Sequence, residues 1–164
     1  MTIKENWTEA WADQTIGSDW LPIHWLAAHG NPLMYQHIVD KTIENDDEFL
    51  FDAYGNGSLH YAAKFSKFSM AQHILTHRHY VVEDGIGFKN DFGETPLHFA
   101  CETSDINLVQ LLFVSEDGDY VADDFGRTPL HTAARHNQLQ AVVYLTHRIR
   151  NNIHPLDDDG IKVG

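Results

Sequence analysis

The chain has 164 residues, with 11 Lys and Arg against 24 Asp and Glu, and a formal net charge of −13. Such a surface repels phosphate backbones and anionic membranes and favours basic partners, so the expectation is no direct nucleic acid and no membrane binding. The sequence has no apolar run near the ~20 residues that span a bilayer, no basic-then-apolar leader, and only one cysteine, Cys101, so no intramolecular disulfide. A cytoplasmic monomer without cofactor or metal is expected, the cytosol of a host cell included.

Residues 1–17 are expected to form an N-terminal capping helix. Thr2-Ile3-Lys4-Glu5 has the form of a capping box, and Ile3, Trp7 and Trp11 recur at a spacing of four. Beyond it one phrase returns four times. Its copies are Asp19-Trp20-Leu21-Pro22-Ile23-His24-Trp25-Leu26-Ala27, Gly55-Asn56-Gly57-Ser58-Leu59-His60-Tyr61-Ala62-Ala63, Gly93-Glu94-Thr95-Pro96-Leu97-His98-Phe99-Ala100-Cys101 and Gly126-Arg127-Thr128-Pro129-Leu130-His131-Thr132-Ala133-Ala134. The phrase histidines fall at 24, 60, 98 and 131, in steps of 36, 38 and 33.

Each phrase reads as a helix start. Thr can cap exposed amides, and Pro fits the first turn, where its missing N–H costs nothing. In the second copy Ser58 holds that slot and can serve as the cap. The small pairs Ala62-Ala63, Ala100-Cys101 and Ala133-Ala134 suit close helix approach, and Cys101 reads as a buried small hydrophobe. Six residues after each His comes a break, at Gly30, Ser66, Ser104 and Asn137. A second helix follows, with an apolar stripe of Met34, Ile38 and Val39, then Met70, Ile74 and Leu75, then Leu108, Val109, Leu112 and Phe113, then Ala141, Val142 and Leu145. Between repeats the chain makes a finger whose returns are Asp52-Ala-Tyr-Gly55, Asp91-Phe-Gly93 and Asp123-Asp-Phe-Gly126.

A period near 33 carrying Thr-Pro-Leu-His resembles the ankyrin repeat, over roughly residues 18 to 160. The resemblance implies an all-α ankyrin-repeat solenoid, a right-handed stack of four helix–turn–helix units with projecting β-hairpin fingers. The repeats are placed at 18–53, 54–90, 91–123 and 124–156. Residues 157–164 start a fifth repeat or act as a C-terminal cap, since Asp157-Asp-Asp-Gly160 recurs 34 residues after Gly126. An exposed stacking face needs a polar cap, which favours a native polypeptide that continues. Insertions around 45–51 and 80–88 lengthen two fingers, the second as two short strands about Glu83-Asp84-Gly85.

One phrase histidine per repeat spreads the four too far along the stack to share an ion. Each is expected to hydrogen-bond backbone of the neighbouring turn. His73 and His77 share a helix face, but the sequence offers zinc no further ligands. A phosphate loop, a nucleophile elbow and a paired metal motif are all absent, so no catalysis is expected within this chain.

Ankyrin-family proteins usually bind other proteins through finger tips and the concave face, and the resemblance implies that role. Carboxylates crowd the fingers, with Glu116, Asp117, Asp119 and Asp124 beyond what turns require. Tyr54, Phe92 and Phe125 each precede a finger glycine, and Trp20 lies near the equivalent place. The candidate protein-binding set is therefore Trp20, Tyr54, Phe65, Phe92, Glu94, Glu102, Glu116, Asp117, Asp119, Asp124, Phe125, Arg127 and His136. Trp25, Tyr61 and Phe99 are expected in the core. The partner is expected to be basic. Two other readings stay open: an inhibitor or immunity-type protein blocking a basic enzyme or nucleic-acid-binding surface, and the N-terminal targeting domain of a longer bacterial or viral host-directed effector.

Overall fold

A computed structural model describes residues 20–42, 51–77, 87–113 and 121–152. They contain eight α-helices: α1 Pro22–His29, α2 Pro32–Thr42, α3 Ser58–Lys64, α4 Phe68–Thr76, α5 Pro96–Ala100, α6 Ile106–Leu112, α7 Pro129–Arg135 and α8 Leu139–Asn152. Each odd helix packs on the even helix after it. The pairs stack in two layers, α1, α3, α5 and α7 in one and α2, α4, α6 and α8 in the other. The described residues contain no strand, only an isolated antiparallel bridge between Phe51 and Gly57. The expected N-terminal helix, the strands about 83–85 and the start of a fifth repeat lie outside the described residues, as does nearly all of the insertion at 45–51.

Helix starts follow the repeated phrase, but not through the threonine cap expected from sequence. Pro22, Pro96 and Pro129 take the first helical position, and neither Thr95 nor Thr128 caps an amide with its hydroxyl. The phrase histidine supplies the cap instead. Its Nδ1 accepts the backbone N–H three residues earlier, from Leu21 and Gly57 at 3.2 Å, Thr95 at 3.1 Å and Thr128 at 3.2 Å. The threonine hydroxyls turn to the same ring nitrogen, at 2.9 and 2.8 Å. Ser58 proves to be the first helical residue, in the proline slot, behind an N-cap at Gly57.

An imidazole whose Nδ1 accepts an amide proton carries its own proton on Nε2. That proton is donated across the repeat boundary: His60 Nε2 lies 3.1 Å from the Glu94 carbonyl oxygen, and His98 Nε2 lies 3.0 Å from that of Arg127. Each ring thus closes its own helix and holds the finger of the next repeat. The expected link to the neighbouring turn is present for His60 and His98.

The breaks between paired helices use left-handed backbone at Gly30 (φ 73°), Ser66 (φ 54°) and Asn137 (φ 57°). Ser104 does not follow. There the Asp105 carboxylate starts α6, accepting the Asn107 and Leu108 amides at 3.1 and 3.2 Å. Where helices cross closely, Ala27, Ala62, Ala63, Ala100, Cys101 and Ala133 are completely buried. Burial pushes the Cys101 thiol up to about 12, so it stays protonated and inert. The even-helix layer buries Met70, Leu108, Val109, Leu112 and Leu145. Two expectations fail at the ends of the stack. Met34 is half exposed while Tyr35 and Val39 are buried, and Ala134 is exposed, because no described repeat covers these positions.

The finger returns are one turn made three times. Asp52 Oδ1 accepts the Tyr54 and Asn56 amides at 2.9 and 2.7 Å. Asp123 Oδ1 accepts those of Phe125 and Arg127 at 2.9 and 2.8 Å. In the return around Phe92 the turn is held by Asn90 rather than Asp91, through the Phe92 and Glu94 amides at 3.0 and 2.9 Å. Adjacent fingers are tied by backbone, Asp91 N–H to the Tyr54 carbonyl at 2.9 Å and Asp124 N–H to the Phe92 carbonyl at 3.0 Å.

Two outcomes follow for stability. Gly93 and Gly126 both have φ of +75°, but a Cβ on Gly93 would stand 2.8 Å from the Asp124 backbone nitrogen, whereas nothing lies within 4 Å at Gly126. Gly126→Ala is expected to cost about 1–2 kcal/mol for the left-handed backbone alone. Gly93→Ala should cost about 1–3 kcal/mol more, because it also wedges two fingers apart; equal denaturant midpoints for the two variants would contradict the finger stacking. The second outcome concerns acid. Desolvation lowers the His60 pKa to about 4, so the unfolded chain takes up the proton first as pH falls. Stability should therefore drop between pH 6.5 and 4, by about 2–3 kcal/mol at pH 4.5 from this ring. Urea unfolding at pH 7 and pH 4.5 checks it.

Candidate functional site

The turn geometry that stacks the fingers also sets one aromatic per finger at the same outward position. Tyr54 is 49% exposed, Phe92 43% and Phe125 72%. The Tyr54 and Phe92 rings stack on one another, with centroids 6.2 Å apart and planes at 27°. Among the described residues Phe125 meets no such ring and instead carries the Arg127 guanidinium 4.9 Å from its centroid. Asp91 and Asp124 precede Phe92 and Phe125; both are exposed, and neither carboxylate forms a salt bridge among the described residues. The finger edge therefore carries aromatic faces beside carboxylates open to solvent.

Other acidic groups are occupied internally. Burial pushes the Asp52 carboxyl up, but hydrogen bonds from Tyr61, Asn56 and the turn amides outweigh it and hold it below the usual range. Asp123 is held down in the same way, burial opposing and the Arg127 contacts and the Phe125 amide winning. Arg127 Nε lies 2.6 Å from Asp123 Oδ2, and its terminal nitrogen lies 3.4 Å from Glu94 Oε1. Asn90 Nδ2 donates to Glu94 Oε2 at 3.2 Å and to Asn56 Oδ1 at 2.9 Å. Asn56, Asn90, Glu94, Arg127 and Asp123 thus form one polar chain across three fingers, which engages two of the sequence candidates, Glu94 and Arg127.

Trp20 stands in register with Asn56, Glu94 and Arg127 rather than with the outward aromatics. It is half-buried, its ring 4.3 Å from that of Tyr61 and 5.8 Å from that of Phe65. Phe65 and His136 are exposed at the ends of the odd helices, and Glu102 is half-buried there. Tyr61 and Phe99 are buried as expected, whereas Trp25 is half-buried and stacks on His29 at 3.6 Å. Glu116, Asp117 and Asp119 lie outside the described residues.

Between the fingers that carry Tyr54 and Phe92 and the odd helices beneath them lies a groove of about 300 Å³. Trp20, Tyr54, Tyr61, Phe92 and Phe99 give it an aromatic lining, with Lys64 among the polar groups. The Lys64 ammonium sits 5.6 Å from the centre of the Phe99 ring. Sequence reasoning had no signal for the groove, since its residues come from three repeats; Lys64 was legible only as a helix-end cation.

Among the described residues no three His, Cys, Asp or Glu groups lie close enough to hold a metal ion. His73 Nε2 faces Gln36 Oε1 at 3.2 Å, and His77 Nδ1 donates to the His73 carbonyl at 2.9 Å. Desolvation, with the His77 charge second, lowers the His73 pKa. No described helix is long and apolar enough to cross a membrane.

Comparison with protein families matches residues 59–155 to ankyrin repeats in three copies, more than half of the chain. None of the curated proteins matches it. The matched span begins in α3, and the pair α1–α2 before it has the same left-handed break and the same histidine contact at its helix start. With its phrase, its stacked helix pairs and this match, the chain belongs to the ankyrin-repeat family, whose repeats are generally protein–protein interaction modules.

Proposed function

We propose that the finger edge binds a basic protein surface, with Phe92 and Phe125 as anchors and Asp91 and Asp124 as the charged surround. The observation that carries the reading is the repetition, in the fingers of Phe92 and Phe125, of an exposed aromatic next to an exposed carboxylate that forms no salt bridge among the described residues. Aromatic side chains concentrate binding energy, and surrounding charges steer the approach of an oppositely charged partner. Glu116, Asp117 and Asp119 extend the same acidic character in sequence. The chain acts by binding rather than by catalysis in this reading, and blocking a basic enzyme or nucleic-acid-binding surface is one use that its charge supports.

A partner is first captured with the immobilised chain and identified by mass spectrometry, then measured by surface plasmon resonance at two salt concentrations. Phe125→Ala should speed dissociation about tenfold or more, at nearly constant association rate. Asp91→Asn with Asp124→Asn should slow association and flatten its salt dependence, leaving dissociation nearly unchanged. If both variants bind like wild type, the finger edge is only a solvated rim.

A further inference from the structure

The finger edge already holds one guanidinium. Arg127 lies 4.9 Å from the centre of the Phe125 ring, with Nε 2.6 Å from Asp123 Oδ2 and a terminal nitrogen 3.4 Å from Glu94 Oε1. A ring and carboxylates together thus hold a planar cation. One and two fingers back, the register of Arg127 is taken by Glu94 and Asn56. Asn56 copies only the short reach of Arg127, its Nδ2 donating to Asp52 Oδ2 at 3.0 Å. Among the described residues neither Tyr54 nor Phe92 has a cation over its ring, although both rings are nearly half exposed and line the groove. The groove also has the sign of charge that a cation needs. Asp52 and Glu94 outnumber Lys64, and His60 is neutral, both its ring nitrogens being committed. Asp52 is saturated by four hydrogen bonds, so its charge acts only at a distance. Glu94 is less committed: its contacts to Asn90 and Arg127 are long, 3.2 and 3.4 Å, and its side chain is 22% exposed. The Lys64 ammonium is held 5.6 Å from the Phe99 centroid, on the helix side of the groove.

We infer that this groove takes an arginine side chain of the protein partner, its guanidinium lying against the exposed Tyr54 and Phe92 rings and pairing with Glu94. Arginine suits the place better than lysine, because a guanidinium is planar, stacks on aromatic rings and gives up its water more readily than an ammonium. The volume of about 300 Å³ is at the small end of ligand pockets, which fits one side chain and not a cofactor. The inference rests on the reading that this edge binds a basic protein, and it gives one of that protein's basic residues a type and a seat.

Three capped amino acids test it: N-acetylargininamide, N-acetyllysinamide of the same charge, and N-acetylcitrullinamide, neutral and nearly the same shape as the first. Each is titrated into ¹⁵N-labelled protein at near-physiological salt, where the net charge of −13 is screened beyond about 8 Å. Backbone signals of Tyr54, Asn56 and Glu94 should move, and the arginine probe should bind about three- to tenfold tighter than the citrulline probe. It should also bind tighter than the lysine probe, a difference that net charge cannot produce. Glu94→Gln, which keeps an acceptor oxygen for Asn90 and Arg127, should bring the arginine probe down to the citrulline probe. Lys64→Met, a change at an exposed position, should tighten the arginine probe and leave the citrulline probe unchanged. The inference is overturned by a lysine or citrulline probe that binds as tightly as arginine, by a Glu94→Gln protein that keeps the arginine preference, by a Lys64→Met protein that gains none, or by no movement of the groove signals. The finger-edge reading fails separately, through Phe125 and Asp124 variants that leave partner binding intact.

Discussion

The structure depends on one imidazole, His60 in the second repeat and His98 in the third, used twice. Nδ1 of the phrase histidine accepts an amide at its own helix start, and Nε2 donates to a carbonyl of the following finger. Both ring nitrogens are committed, so the ring must be neutral, and burial enforces that by penalising the charged form at His60 and His98. This explains what the phrase can lose. Thr becomes Leu21 or Gly57 and Pro becomes Ser58, because the cap is carried by the histidine and not by the hydroxyl.

A second device works at the other end of each return. A short acidic or amide side chain at Asp52, Asn90 or Asp123 gathers two turn amides and points the next residue but one outward. The turn needs an acceptor oxygen and not a charge, which is why Asn90 serves as well as its aspartate counterparts. Backbone hydrogen bonds then tie finger to finger, so the outward aromatics fall in a row. The row of outward aromatics is a by-product of the stacking geometry.

Net charge is a poor guide to the local surface for the same reason. Asp52 and Asp123 are consumed by turns and Glu94 by the polar chain across the fingers, whereas Asp91 and Asp124 stay open to solvent. The total of −13 counts all of them equally. Asp91, Asp124 and Lys64 are exposed and form no salt bridge among the described residues.

The sequence by itself determined the repeat unit, the order of the helices and the residues at closest approach. Those features depend on short-range hydrogen bonds and helical spacing, which recur at fixed offsets from His24, His60, His98 and His131. It also marked Tyr54, Phe92 and Phe125 as one row, since equal register means equal direction in a stack. Only the tertiary structure decided the rest. Whether Glu94 and Arg127 are open or engaged, whether Met34 and Ala134 are covered, and whether Lys64 meets a carboxylate all depend on side chains one repeat away. Spacing along the chain specifies which repeats are neighbours; it does not specify which atoms come within hydrogen-bonding distance across the boundary.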